Sequence, residues 1–235
     1  MKNNSSRLDE RLSLAASFVT EGGVAADIGT DHAYIPIHLI LSGKCKTAIA
    51  SDINEGPLKR AMENARAYGV YDSIFFGLTD GLDALPLEEK GVTDIVICGM
   101  GGELIARIID CCDYVRTSGV NLILQPMSSI GELRYYLAEK GFETVNEGIC
   151  RSQGKIYQCI NCTYTGKPYA IDEAEALLGK INIRRGCESP LFEELLHSLI
   201  SRTKYIIAGK EKGSGDTTED KKLLSRLEEI SCSVR

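Results

Sequence analysis

The sequence has no stretch approaching the roughly 18 apolar residues of a membrane span. Its polar start, MKNNSSRLDERL, is not that of a secretory signal. A disulfide framework is also missing. The nine cysteines are an odd number without framework spacing, which points to a reducing, cytoplasmic setting. Nor is there a basic surplus: Lys and Arg number 27 against 33 Asp and Glu, a formal net charge of −6. That balance argues against a generally basic nucleic-acid binder, but the charge is uneven. Residues 1–165 carry 15 basic and 21 acidic side chains, whereas 166–235 carry 12 of each. A polyanion is therefore met more easily by the C-terminal part or by a local patch.

What is present is an ordinary soluble composition, 43% hydrophobic and 26% charged over 235 residues, enough for one α/β domain with a small appendage. The chain is organised around Val24–Pro36, VAADIGTDHAYIP. An apolar β run ends at Asp27, Gly29 makes a tight turn, and a helical pattern starts by Tyr34. This is the strand–turn–helix opening of a doubly wound α/β fold, in which ligands lie across the carboxyl end of the first strand. The full G-x-G-x-x-G is absent, because Thr30, Asp31, His32 and Ala33 follow Gly29. Asp31 would repel a pyrophosphate, so the loop suits a cofactor with a cationic centre better than a nicotinamide dinucleotide. S-adenosylmethionine, with its sulfonium, is the first candidate.

Along the chain, an amphipathic helix over Leu8–Val19 precedes the first strand, Val24–Asp27. Further β runs are expected at Thr47–Ser51, Ser73–Leu78, Asp94–Cys98 and Asn121–Gln125, the last stopped by Pro126. Helices are expected from Tyr34, around Pro57, over Glu103–Cys112 and over Ile130–Lys140. Phe142–Arg151 and Lys155–Thr163 then read as a hairpin about Ser152-Gln153-Gly154. The sum is a seven-stranded sheet, mostly parallel with one reversed strand, in a Rossmann-like domain over residues 1–165. After Gly166 no strand is legible. A helix opened by Pro190 and a second stripe, Leu223, Leu224, Leu227 and Ile230, imply a C-terminal α-helical coiled-coil hairpin over 166–235.

The strand ends collect the candidate site. Asp27 and Asp31 would face the amino group and sulfonium of a methionine moiety, with Gly29 permitting close approach. Asp52, followed by Ile53, can accept both ribose hydroxyls, although a helix-capping role is the alternative. Asp80, in Thr79-Asp80-Gly81, could accept from an adenine amino group, yet Asp-Gly is also good turn chemistry. Arg11 could pair with the methionine carboxylate or simply lie on the surface, and His32 could hydrogen-bond a ligand. His38 and His197 read as structural. Cys159 and Cys162 form a lone CxxC in a strand, where i and i+3 face opposite ways, so they read as buried thiols rather than zinc ligands. Chemistry is expected at Gly99, Met100, Gly101 and Gly102, a flexible loop replacing the acid-Pro-Pro-aromatic motif of amino methylases. No general base stands there and Cys98 reads as a packed thiol, so a substrate atom already bearing a lone pair fits best.

These motifs resemble the bacterial tRNA (adenine-22-N1)-methyltransferases. The likeness runs through Arg11-Leu12, ADIGTDHAYIP, EGPLKRA from Glu55, TDGL from Thr79, ICGMGG from Ile97, LILQP from Leu122 and the closing KIYQC. The resemblance implies a class I methyltransferase domain with a C-terminal coiled coil, S-adenosylmethionine as cofactor, tRNA as partner and adenine N1 as target. It also implies cofactor contacts at Asp27, Gly29, Asp52 and Asp80 and a substrate side at Gly99–Gly102. The paired bases Arg184-Arg185, Arg202 with Lys204, Lys210 with Lys212, and Lys221-Lys222 are then expected to dock tRNA phosphates, with packing or dimerisation as the hairpin's other role. No metal and no membrane are expected, and monomer and dimer both stay open. Rival readings are a small-molecule methyltransferase, favoured by the acidic charge, a catalytically silent RNA- or protein-binding module, and an oxidoreductase that the missing glycines oppose.

Overall fold

Short apolar runs buried on both faces build the central strands of the computed structural model, which describes residues 8–117, 119–186 and 189–233. Seven strands pair in the order β3-β2-β1-β4-β5-β7-β6. They are β1 Ala25–Ile28, β2 Ala48–Asp52, β3 Ile74–Leu78, β4 Asp94–Gly101, β5 Asn121–Ser128, β6 Phe142–Ser152 and β7 Lys155–Tyr164. The first five run parallel to one another, and β7 runs antiparallel to both β5 and β6. This is the expected mostly parallel sheet with one reversed strand. Gln153 and Gly154 close the β6–β7 hairpin, with φ 48° and 78°, the left-handed pair of a two-residue turn.

Successive residues of each strand feed different cores. Ala26, Ile95, Ile97, Leu122 and Leu124 pack on one face with α4 Gly102–Asp110 and α5 Ile130–Glu139. Ala25, Val96 and Ile123 pack on the other with α1 Glu10–Phe18 and α2 Tyr34–Leu41. The helix α3 Glu55–Ala67 covers the β2 end through Ala61 and Ala65. Cys159 and Cys162 fall into these two opposite cores, both fully buried, as their spacing implied. Burial pushes both thiols far up, so they stay neutral.

Two strands run further than the sequence suggested. Gly99-Met100-Gly101 is not a flexible loop; it extends β4 alongside β5, with register shifts on either side of Met100. Gly99, at φ 79°, takes the left-handed turn that a bulge needs. Pro126 does not stop β5: it lies opposite Met100 within that irregular stretch, where a missing N–H is tolerated.

The chain divides into two units, Met1–Tyr169 and Ala170–Arg235. The second holds α6 Glu173–Leu178, α7 Lys180–Arg185, α8 Pro190–Lys212 and α9 Thr218–Ser233. The ion pairs Lys204–Glu228 (2.8 Å), Lys221–Glu211 (2.8 Å) and Lys210–Asp220 (2.5 Å) bridge the antiparallel helices α8 and α9. Three of the lysines expected to face phosphates are thus engaged across the helix pair. No helix among the described residues is long and apolar enough to cross a membrane.

Within the first unit, Arg134 on α5 ties that helix to the β6–β7 hairpin. Its Nε donates to Glu147 Oε1 at 2.9 Å and its Nη2 to Gln158 Oε1 at 3.0 Å. The Arg134 and Glu147 side chains are 4% and 1% exposed, so removing one leaves an uncompensated buried charge. Arg134→Leu is expected to cost about 3–5 kcal/mol, read from denaturant unfolding; a loss well under 1 kcal/mol would contradict this role.

Candidate active site

Strand order reverses at β1, which has β2 on one side and β4 on the other. At such a switch point the loops after the strands diverge and leave a crevice beyond their carboxyl ends. The β1–α2 loop is fastened to β2, because Gly29 N and Thr30 N both donate to the Ser51 carbonyl at 2.8 Å. Gly29 has φ 78°, and a Cβ there would overlap Met100 Cε. The positive φ therefore favours glycine, and the end of the Met100 side chain, reaching across from β4, occupies the space a Cβ would take. Ala33, at φ 52°, holds a left-handed conformation that costs a non-glycine residue energy and is fixed here by complete burial.

Asp27 sits just before the end of β1, only 7% exposed. Burial pushes its carboxyl up to about 6; the Thr30 hydroxyl, donating to Oδ2 at 2.6 Å, pulls it down, and nearby Asp52 raises it again. Asp31 is 60% exposed and pairs with Arg60 of α3 and, at 3.4 Å, with His32 Nε2. Asn64, also from α3, donates to the His32 carbonyl at 3.1 Å. The His32 ring stacks on Tyr34, with centroids 5.0 Å apart and planes at 21°.

From the other side comes Arg11 on α1. It is not a surface arginine: its side chain is 19% exposed. The guanidinium donates to Gln125 Oε1 at 2.8 Å and to Asp9 Oδ2 at 2.9 Å, and lies over the Tyr157 ring. Together these groups enclose a cavity of about 520 Å³ lined by Arg11, Asp27, Gly29, Asp31, His32 and Tyr34, with Cys98 and Gly99 of β4 opposite. Burial holds the Cys98 thiol well above its ordinary range, so it is a neutral packing group.

Other residues singled out in the sequence lie beside this cavity, not on it. Asp52 ends β2, and its Oδ1 accepts the Asn54 N–H at 2.8 Å; the N-cap of α3 is Asn54, so Asp52 is not the helix cap weighed against ribose binding. Ile53 follows, 58% exposed. Thr79 N donates to the Asp52 carbonyl at 3.0 Å, placing Thr79, Asp80 and Gly81 next to Asp52 beyond the β3 end. Gly102 is buried as the first residue of α4, and a Cβ there would overlap the Ser129 carbonyl. Sequence reasoning did not single out Thr30, Asp9 or Tyr34. Their signals were a hydroxyl three residues from a buried acid, an N-cap acid two before an arginine, and an aromatic opening a helix. Among the described residues no cluster of three His, Cys, Asp or Glu side chains is arranged to hold a metal.

Residues 8–160 match the family model of the methyltransferase domain. The chain is 35% identical to the tRNA (adenine(22)-N(1))-methyltransferase of Bacillus subtilis over 67% of its own length and 65% of that enzyme's. It thus spans just under two thirds of this curated relative. Superposition on the crystal structure of the B. subtilis M1A22 tRNA methyltransferase TrmK gives a TM-score of 0.79 at 28% identity, covering 97% of this chain and 98% of that one. A Streptococcus pneumoniae protein described as a candidate tRNA (m1A22) methyltransferase, solved with S-adenosyl-L-methionine, gives 0.80 at 31% identity, covering 95% and 99%. A doubly wound sheet with an acid-lined crevice at its switch point, matched across nearly the whole chain, places this protein in the methyltransferase-domain family and, within it, among the bacterial tRNA (adenine-22-N1)-methyltransferases.

Proposed function

We propose that the chain methylates N1 of adenine 22 in tRNA, in the cytoplasm, with S-adenosylmethionine as donor. The observation that carries this reading is the cavity in which acids Asp27 and Asp31 and the cation Arg11 converge beside Gly29 and Gly99. A ligand with an ammonium, a carboxylate and a sulfonium is matched by such a mixture, whereas a pyrophosphate is not. Asp27 and Asp31 would hold the cationic groups and Arg11 the carboxylate. Asp52 would take the ribose hydroxyls and Asp80 the adenine amino group, with Ile53 as an apolar wall beside Thr79 and Gly81. When bound, the cofactor would supply an electrophilic methyl group on a cationic sulfur, which the unprotonated N1 lone pair of adenine could accept.

Adenine N1 carries no proton near neutral pH, so the chain needs no general base, in keeping with a site whose thiol is neutral. Its task is placement. The β4 extension through Gly99, Met100 and Gly101 gives a sheet-anchored floor against which a flat base can lie, and orienting the acceptor in line with the methyl supplies most of the acceleration. Contacts to tRNA phosphates from the second unit complete the reading. Its exposed ion pairs are each worth only about 0–1 kcal/mol, so a phosphate can compete for Lys204, Lys210 and Lys221.

The direct test is nucleoside analysis of an unmodified tRNA transcript after incubation with the chain and S-adenosylmethionine. One 1-methyladenosine per tRNA is expected, lost when adenine 22 is replaced by guanine. Methylation persisting in the replaced transcript would overturn the position, and none in either would overturn the function.

Asp27 gives a second test. Its carboxyl is raised from 3.8 to about 6, so in the free chain the associated stability is fully present below pH 3.8 and is lost as pH rises through 6. Asparagine still accepts the Thr30 hydroxyl but carries no charge. Asp27→Asn should therefore stabilise the free chain at pH 7.5 by about 1–3 kcal/mol while weakening cofactor affinity about tenfold or more. In the unaltered protein, cofactor affinity should fall as pH drops below about 6, because a protonated carboxyl no longer attracts a cation. Calorimetry and thermal melts read both; a destabilised variant of unchanged affinity would remove Asp27 from the site.

A further inference from the structure

Ten large apolar or aromatic side chains are exposed among the described residues, and four of them are aromatic: Tyr34, Phe75, Tyr135 and Tyr205. Of these four, Tyr34 lines the cavity. It is 44% exposed although it opens a helix whose Ile35, Pro36, Ile37 and Leu39 are all buried. This half-exposed ring lines the cavity and, among the described residues, stacks only on His32, leaving its other face open. Its orientation is nevertheless set: the ring stacks on His32, and His32 is in turn held by Asn64 through its carbonyl and by Asp31 at Nε2.

The position also separates this ring from the cofactor's own adenine. That moiety belongs with Asp52, Ile53 and Asp80 beyond β2 and β3, outside the cavity, whereas Tyr34 shares the cavity with Cys98 and Gly99 of β4. The β4 end is the side on which the acceptor must approach. An adenine whose Watson–Crick edge is to react has to leave its stack and its pairing, and exposed bases are received by aromatic faces.

We infer that the exposed face of Tyr34, backed by His32, is the stacking platform for the target adenine, opposite the glycine floor of β4. This rests on the methyltransferase reading above. The platform serves substrate and product differently. The base enters neutral and leaves with a positive charge, and the electron-rich face of a tyrosine ring attracts a cation.

The test uses the full chain with an unmodified tRNA transcript. Tyr34→Ala should lower kcat/KM for tRNA about tenfold or more, whereas Tyr34→Phe, which keeps the ring, should stay within about twofold. The affinity for S-adenosylmethionine, by calorimetry, should be unchanged in both. A transcript carrying 2-aminopurine at position 22 should be quenched on binding the wild-type chain and Tyr34→Phe but not Tyr34→Ala. Equal quenching or equal kcat/KM in Tyr34→Ala would overturn the platform while leaving the methyltransferase intact, and so would a parallel loss of cofactor affinity. A wild-type chain that methylates no tRNA would overturn the function itself and the platform with it.

Discussion

A carboxylate buried at the end of the central strand constrains everything around it. Asp27 lies in β1, paired on one side with Ala50 and on the other with Val96, so the sheet gives it no room to move away. The Thr30 hydroxyl satisfies one oxygen, and that contact requires the tight turn at Gly29. The turn is fastened to β2 through Ser51, and the space left by its missing Cβ is taken by Met100 from β4. One acid thus links three strands through the loop that follows β1.

The opposite wall follows from the same period of two. Ile123 packs against α1 and α2, and two residues on, the same face of β5 presents Gln125, fully buried. A buried amide needs partners, and Arg11 from α1 supplies one while also meeting Asp9 and the Tyr157 ring. The arginine is therefore positioned by a chain of contacts that begins in the sheet core. Helix α1, which precedes the first strand, closes the crevice from the side.

Much of this was legible in the sequence because the strands are short apolar runs separated by glycine, proline and acidic turns. The seven strands, their reversed member and the loop with Asp27 and Gly29 follow from that punctuation. The errors have physical sources. Gly99 and Pro126 look like breaks, but Gly99 falls in the register shift between Cys98 and Met100 and Pro126 pairs with Met100, so one bulged pair of strands accommodates both. Helix α6 was legible after all: Asp172 and Glu175 form a reciprocal capping box, the Asp-x-x-Glu pattern that marks a helix start. The Arg11–Gln125 and Asp31–Arg60 contacts were not legible, because their partners lie 114 and 29 residues apart, and the stacking of Tyr34 on His32 is ring geometry that no spacing encodes.

If Asp27 holds a cationic group of the cofactor as proposed, its burial also ties the lifetime of the protein to that ligand. In the free chain the carboxylate is opposed by desolvation; a cation laid against it removes that penalty, so occupancy and folding are linked by mass action. A ligand at 100 times its Kd adds about 2.7 kcal/mol to the folded state. Proteolysis in cells follows the population of opened molecules. Starvation for the methyl donor would then thin out the enzyme itself, lowering modification capacity through protein turnover as well as through lack of substrate.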